Sequence, residues 1–259
     1  MNILMIGDVM GKPGRKAVAA LLPGMRAELR LDMVIANGEN AAAGRGLTES
    51  TAQDLFAAGV DVITSGNHIW DQREFVPMLD QETAVLRPMN YPPSAPGRGM
   101  LTQRGVTVLN LQGRTFMPAI DCPFRSADAA LESLPGDAIV VVDMHAEATS
   151  EKQGMGRYLD GRVAAVVGTH THVPTADPQL FPGGTAFVTD LGMVGPRESI
   201  IGNEIEPALE RFLHAMPTKL PVADRSRMVQ FNSVVIEIDE STRRAKRIER
   251  VDREWERNG

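Results

Sequence analysis

The sequence predicts an α/β fold, a mixed sandwich of strands and helices, and three observations carry that prediction. Apolar runs of four to seven residues alternate with helical windows from residue 2 to residue 168. Each run ends in small, polar or histidine residues, as strands buried in a parallel sheet do where the chain leaves them. Beyond residue 185 the pattern changes to alternating segments suited to antiparallel pairing.

The elements follow in order. NILMIG (2–7) is the first strand, followed by DVMGKPG and a helix over about 15–30. MVIA (33–36) ends at NGENAAAGRG, and a helix over 47–58 takes Thr48 as its cap. DVITSG (61–66) ends at NHIWD, followed by a short helix over 71–79. The proline-rich MNYPPSAPGRG (89–99) is too short to divide domains. VTVLNL (106–111) ends at QGRTF, and Ser126 caps a helix through Leu134. AIVVVDM (138–144) ends at HAEATS before a helix over 149–159, and VAAVVG (163–168) ends at THTH. TAFVTDLG (185–192) is a further strand, a helix lies near 206–215, and VQFNSVVIEID (229–239) pairs with RRAKRIERV (243–251) as a hairpin. With no internal repeat, the reading is a single domain over 1–259.

Composition narrows the function. A chain of 259 residues buries about 70–75% of its unfolded surface, so it needs no staple merely to fold. Its 33 acidic and 27 basic residues leave a net charge of −6, which argues against nonspecific nucleic-acid binding; no stable nucleic-acid complex is expected. An anionic substrate would need a local attraction. Cys122 is the only cysteine, so no intrachain disulfide forms and a cytoplasmic location is expected. MNILMIGDVMGKPGR lacks the basic start and long apolar stretch of a secretory signal, and no run reaches the roughly 18–20 apolar residues of a membrane helix. No membrane partner is expected.

Polar residues gather where the strands end. Asp8 follows the first strand, Glu39 and Asn40 the second, Asn67 and His68 the third; His145, then His170 and His172, follow later ones. In open α/β sheets ligands collect at those carboxyl ends. Four of the five histidines belong to this set; His214, in ALERFLHAM, is read as a surface or packing residue. Singly, each member has an ordinary role as a cap, turn residue or hydrogen-bonded histidine. The His170-Thr171-His172 pair differs, because in extended chain residues i and i+2 project to one side, where two neutral imidazoles serve as ligands. Oxygen and imidazole donors without thiolate suit manganese, iron, cobalt or zinc and fit poorly with a structural zinc site. Seven ligands, leaving out His68, exceed the needs of one tetrahedral ion and point to a two-metal site with a bridging carboxylate. Asp143 sits inside a buried strand and is read as a support for ligands. GDVMGKPG has the wrong spacing for GxxxxGK(S/T), and GxGxxG is absent, so nucleotide-fold readings are rejected. Amidohydrolase barrels also use His-x-His, but near the amino terminus.

These residues resemble the calcineurin-like metallophosphoesterases. Gly66-Asn67-His68 is similar to the superfamily's GNH element, and GTHTH (168–172) to its GHxH element, with Thr169 replacing the first histidine. GDVMGKPGR, NGENAAAG, GNHIWD, NLQGRTFM, HAEATSEK and GTHTHVPTAD resemble the YmdB family within it, described as 2',3'-cyclic-nucleotide 2'-phosphodiesterases. The superfamily's Asp-x-His appears as Asp8-Val9-Met10 and its bridging aspartate as Glu39 followed by Asn40, changes the YmdB family shares.

The resemblance implies a four-layer αββα sandwich with mixed sheets and two first-row metal ions, divalent or trivalent, iron or manganese first and zinc or cobalt as alternatives. It implies that Asp8, Glu39, Asn40 and His172 hold one ion, and that Glu39 bridges to a second completed by Asn67, His145 and His170. His68 would be the catalytic acid. The implied reaction is hydrolysis of a small nucleotide phosphodiester, with 3',5'-cyclic AMP a further candidate substrate, by hydroxide bridging the metals. Arg45 and Arg114, in loops near the site, are candidate phosphate or base contacts. A phosphomonoesterase with the same site, and a regulatory metal-binding protein acting through its charged carboxy-terminal stretch, stay open as alternatives. Homo-oligomerisation is compatible with the family.

Overall fold

In the computed structural model, which describes residues 1–81 and 83–257, three mixed sheets are flanked by five α-helices. The first sheet runs β14 (Arg244–Arg250), β13 (Ser233–Asp239), β1 (Asn2–Ile6), β3 (Met33–Asn37), β4 (Val62–Thr64). The second runs β5 (Met100–Gln103), β6 (Val106–Gln112), β7 (Ile139–His145), β8 (Ala165–Thr169), β10 (Ala186–Val188), β9 (Gln179–Leu180). In the first, β1, β3 and β4 are parallel and the antiparallel β13–β14 hairpin closes one edge; in the second, β6, β7, β8 and β10 are parallel and antiparallel β5 and β9 close both edges.

Alternation along the strands assembles the layers. In β1, Ile3 and Met5 face one way, into a core shared with Val108, Val141 and Val167 of the second sheet. Leu4 and Ile6 face the other way, against α1 (Gly11–Glu28) and α2 (Glu49–Ala58). Leu109, Val142 and Val166 turn outward onto α3 (Pro123–Ser133) and α4 (Thr149–Tyr158). Helices, sheet, sheet, helices: the fold is the calcineurin-like αββα sandwich.

A third sheet, β15 (Arg253–Glu256), β12 (Met228–Phe231), β11 (Met193–Pro196) and β2 (Asp8–Val9), changes two expectations. The strand expected over 229–239 is two strands parted at Asn232, whose carbonyl accepts Gly7 N–H at 3.1 Å. Gly7 parts β1 from β2 in the same way; a Cβ there would collide with the Gly192 carbonyl. The chain thus leaves the first sheet at Gly7 and carries Asp8 into a different one.

The helix windows hold with shifted starts. α1 begins at Gly11, not near 15, because Pro13 is tolerated in a first turn whose N–H groups lack intrahelical partners. Thr48 caps α2 as expected, in a reciprocal box with Thr51. Ser126 lies inside α3; the cap position is Cys122, before Pro123. In place of a helix over 71–79 stand two short 3₁₀ turns, Asn67–Trp70 and Val76–Asp80. Helix α5 (Ile205–His214) matches its window, and His214 is exposed. No helix among the described residues is long and apolar enough to cross a membrane.

Candidate active site

Five inward strand faces switch from apolar to polar near their carboxyl ends. Ile35 gives way to Asn37, Val62 to Thr64, Val108 to Asn110, Val141 to Asp143 and Val167 to Thr169. The dry inter-sheet core therefore ends in a polar mouth. A group buried there without a partner is costly, so the polar residues must satisfy one another or a ligand.

His145, the last residue of β7, is fully buried at the centre of this mouth. Its Nδ1–H donates to Thr169 Oγ1 at 2.9 Å, and the Thr169 hydroxyl donates to Asp143 Oδ1 at 2.7 Å. Asp143 also accepts from Thr64 Oγ1 and from Asn37 Nδ2. Thr169, the residue standing where the wider superfamily has histidine, is thus the link that sets the His145 tautomer. The other ring nitrogen, Nε2, lies 3.1 Å from Glu39 Oε1 and 3.0 Å from His170 Nδ1. These three donors form the compact metal-competent group among the described residues. On the far side, His172 Nε2 lies 3.3 Å from Asn40 Oδ1, while its Nδ1–H donates to the Ile201 carbonyl at 2.8 Å.

The same close contacts shift the titration of these groups. Burial pushes Glu39 upward, but His145, His68 and His170 outweigh it and hold the carboxyl at about 2. Burial pushes His145 down, and Glu39, Asp8 and Asp143 overcome it, raising the imidazole to about 9. His170 is driven down to about 3 by burial and then by the neighbouring His145. Burial raises Asp8 to about 6 against the opposing pull of His172 and His145.

Three observations test whether metal ions fit here. Asp8 Oδ1 and Asn67 Oδ1 are buried and accept no hydrogen bond from the described residues, each an acceptor without a donor. Gly66 leaves a gap beside them; a Cβ there would overlap His145 Cδ2 and Glu39 Oε2. The donors are carboxylate, amide oxygen and imidazole, which suits first-row cations. The residues fit the group.

The His170-Thr171-His172 geometry is not the expected one. β8 ends at Thr169, and both histidines have positive φ, 102° and 64°. The two rings therefore do not share a side through strand alternation. The turn, costly for non-glycine residues, is held by carboxylates: His170 N–H donates to Asp8 Oδ2 and Thr171 N–H to Asp190 Oδ2, both at 3.1 Å. Asp190 is itself paired with buried Lys152 at 2.6 Å.

His68 stands at the rim. Its N–H donates to Glu39 Oε2 at 3.2 Å, and its Nδ1 meets Asp71 Oδ2 at 2.9 Å. With Glu39, Asn40, Arg45, His170 and His172 it lines a cavity of about 320 Å³. Arg114 is not among the lining residues; its guanidinium reaches Cys122 Sγ and its N–H donates to Glu151. A larger groove of about 430 Å³ lies between α1 and α2, lined by Lys12, Arg15 and Ala57 and apart from the donor cluster. Chemistry, not size, marks the site.

Comparison with known proteins decides the family. The model of the YmdB-like proteins matches residues 4–251. The chain belongs to the YmdB-like family. It is 44% identical over 256 residues to the 2',3'-cyclic-nucleotide 2'-phosphodiesterase of Bacillus subtilis (strain 168), covering 97% of this chain and 96% of that protein. A hypothetical protein from Thermus thermophilus superposes with TM-score 0.91 at 44% identity, covering 100% of both chains. A protein from Mycoplasma pneumoniae, described as a novel phosphatase, gives TM-score 0.92 at 32% identity over 99% of this chain and 94% of that one.

Sequence reasoning missed several members of this YmdB-like site. Glu147 approaches His170 Nε2 at 3.1 Å, and Lys152 with Asp190 supports the turn between the histidines. Asp190 carried a usable signal, since it follows the strand β10 as Glu39 follows β3. Lys152 carried none, because a lysine in a helical window reads as solvent-facing.

Proposed function

We propose that this chain is a metal-dependent phosphodiesterase of small cyclic nucleotides, with 2',3'-cyclic nucleotides as the substrate class. The observation that carries the reading is the placement of His68. It lines the cavity beside the donor cluster, held through its backbone and Nδ1, while Nε2 takes no partner among the described residues. The activity of the Bacillus subtilis relative supports the same reading.

In this reading Asn67, His145 and His170 hold one ion, Asp8, Asn40 and His172 a second, and Glu39 serves both. Iron or manganese suits this donor set best. Bound ions supply Lewis acidity toward the phosphoryl oxygens and a nucleophile from water at neutral pH. They also reverse the local charge, which is how an acidic mouth admits an anion. Arg45, exposed on the cavity wall, adds a cation for the phosphate. Cleavage of the P–O2' bond leaves an alkoxide that needs a proton, and His68 Nε2–H donates it to O2'. Asp71 orients the ring through Nδ1. The product is the 3'-phosphomonoester. The single cysteine and net charge of −6 support work in the cytoplasm on small molecules.

The description of the Mycoplasma pneumoniae relative as a phosphatase favours monoester hydrolysis as the second reading. Assay of the metal-loaded protein against 2',3'-cyclic nucleotides, 3',5'-cyclic AMP, linear diesters and monoesters separates the two. The His68→Ala variant should bind metal normally and lose about 10²–10⁴ in turnover. Near-normal turnover with metal bound would remove His68 from the reaction, and no turnover of any substrate by the parent protein would favour a binding role.

A further inference from the structure

Glu147 lies two residues beyond His145, past the end of β7, and outside the proposed donor set. Its backbone is tied to the loop after β6, where its N–H donates to Met117 Sδ at 3.3 Å. Its side chain lines the cavity beside the donors and sets Oε2 3.1 Å from His170 Nε2. The carboxylate is half exposed, so removing it opens no void in the core.

The two nitrogens of His170 meet different surroundings. Nδ1 faces the donor cluster, 3.0 Å from His145 Nε2, and Nε2 faces Glu147. A neutral imidazole carries one proton, and the nitrogen without it is the one that ligates. An ionised carboxylate can only accept, so Glu147 draws the proton to Nε2 and leaves the Nδ1 lone pair toward the cluster. His145 is arranged the other way round: its Nδ1–H donates to Thr169 Oγ1, which frees Nε2. The two rings thus meet at opposite nitrogens, each assigned by an acceptor on its outer side. The proton of His172 is placed without Glu147, since its Nδ1–H donates to the Ile201 carbonyl at 2.8 Å.

We propose that Glu147 is a positioning residue of the metal centre. By accepting the His170 Nε2 proton it fixes the ring with Nδ1 toward the cluster. It thereby sets the affinity of the ion that His145 and His170 would share. This role presupposes the two-ion reading of the site. It also separates the ions, because the one assigned to His172 draws nothing from Glu147.

Isothermal titration of the metal-free full chain with manganese tests the proposal. The parent protein should show two sites. Glu147→Ala should weaken one of them about 10–100-fold, the usual effect of losing a ligand's outer partner, and leave the other unchanged. Glu147→Gln should restore most of the loss, because its amide oxygen still accepts the Nε2 proton. A substitution that merely loosened the fold would weaken both sites alike and would not be rescued. A parent with one site or none would overturn the two-ion reading and the role of Glu147 with it. A two-site parent matched by Glu147→Ala at both sites would overturn the role of Glu147 alone. So would equal weakening of both sites, or a glutamine variant no better than alanine.

Discussion

Lys152 Nζ donates to Asp190 Oδ2 at 2.6 Å, with both side chains withdrawn from solvent. The same carboxylate accepts Thr171 N–H through Oδ2 and Gly192 N–H through Oδ1. The pair therefore braces the residue between the two histidines of GTHTH. Gly168 makes room for it, since a Cβ there would crowd Lys152 Cδ and strike the Thr189 carbonyl.

Breaking this pair from one side leaves an uncompensated buried charge. Lys152→Met should cost about 3–5 kcal/mol in the denaturant unfolding of the metal-free protein. Adding Asp190→Asn should recover much of that loss, because the stranded charge is gone. A single variant as stable as the parent would show that the pair does not brace the turn.

Thr169→Val removes the hydroxyl between His145 and Asp143 while keeping the shape of the side chain. Metal affinity should fall about 10–100-fold, the usual effect of losing a ligand's outer partner, and Thr169→Ser should restore it. Isothermal titration with manganese gives both numbers. Equal affinities for valine and serine would count against the relay.

A Cβ on Gly66, which sits at φ −147° and ψ −140°, would meet His145 and Glu39, so Gly66→Ala tests the space around the donors. The variant should fold and bind little metal, read by elemental analysis after dialysis. Full metal content would mean the donor cluster is looser than its geometry.

The His145 ring gives the metal-free protein an alkaline weakness. Its folded value, about 9, lies above the ordinary 6.5 because Glu39, Asp8 and Asp143 outweigh burial. A raised folded value contributes stability that is whole below pH 6.5 and is lost as pH rises toward 9. Above pH 6.5 the last proton leaving folded Asp8, raised to about 6, adds slightly to the loss, and the last proton leaving unfolded His170, whose folded value is lowered to about 3, offsets only a small part of it. Thermal melts of metal-free protein should drop by several degrees between pH 6.5 and 9, and His145→Gln should flatten that slope. A parent slope that survives the substitution would assign the effect elsewhere.

The sequence by itself determined the α/β class, the strand windows and the candidate donors from Asp8 to His172. Those are legible because alternation and strand ends are local, and because a parallel sheet brings its carboxyl ends to one edge whatever the loops do. It could not show that 229–239 divides between two sheets, since the alternation of that segment is unbroken and only Gly7, crossing at Asn232, parts it. Nor could it show the bend of His170 and His172 into positive φ, which depends on carboxylates supplied from Asp8 and Asp190. The brace under GTHTH and the Asp143–Thr169–His145 relay were decided by tertiary structure. Each joins or strands residues far apart in the chain, and only the facing of two sheets in space determines which buried polar groups must satisfy one another.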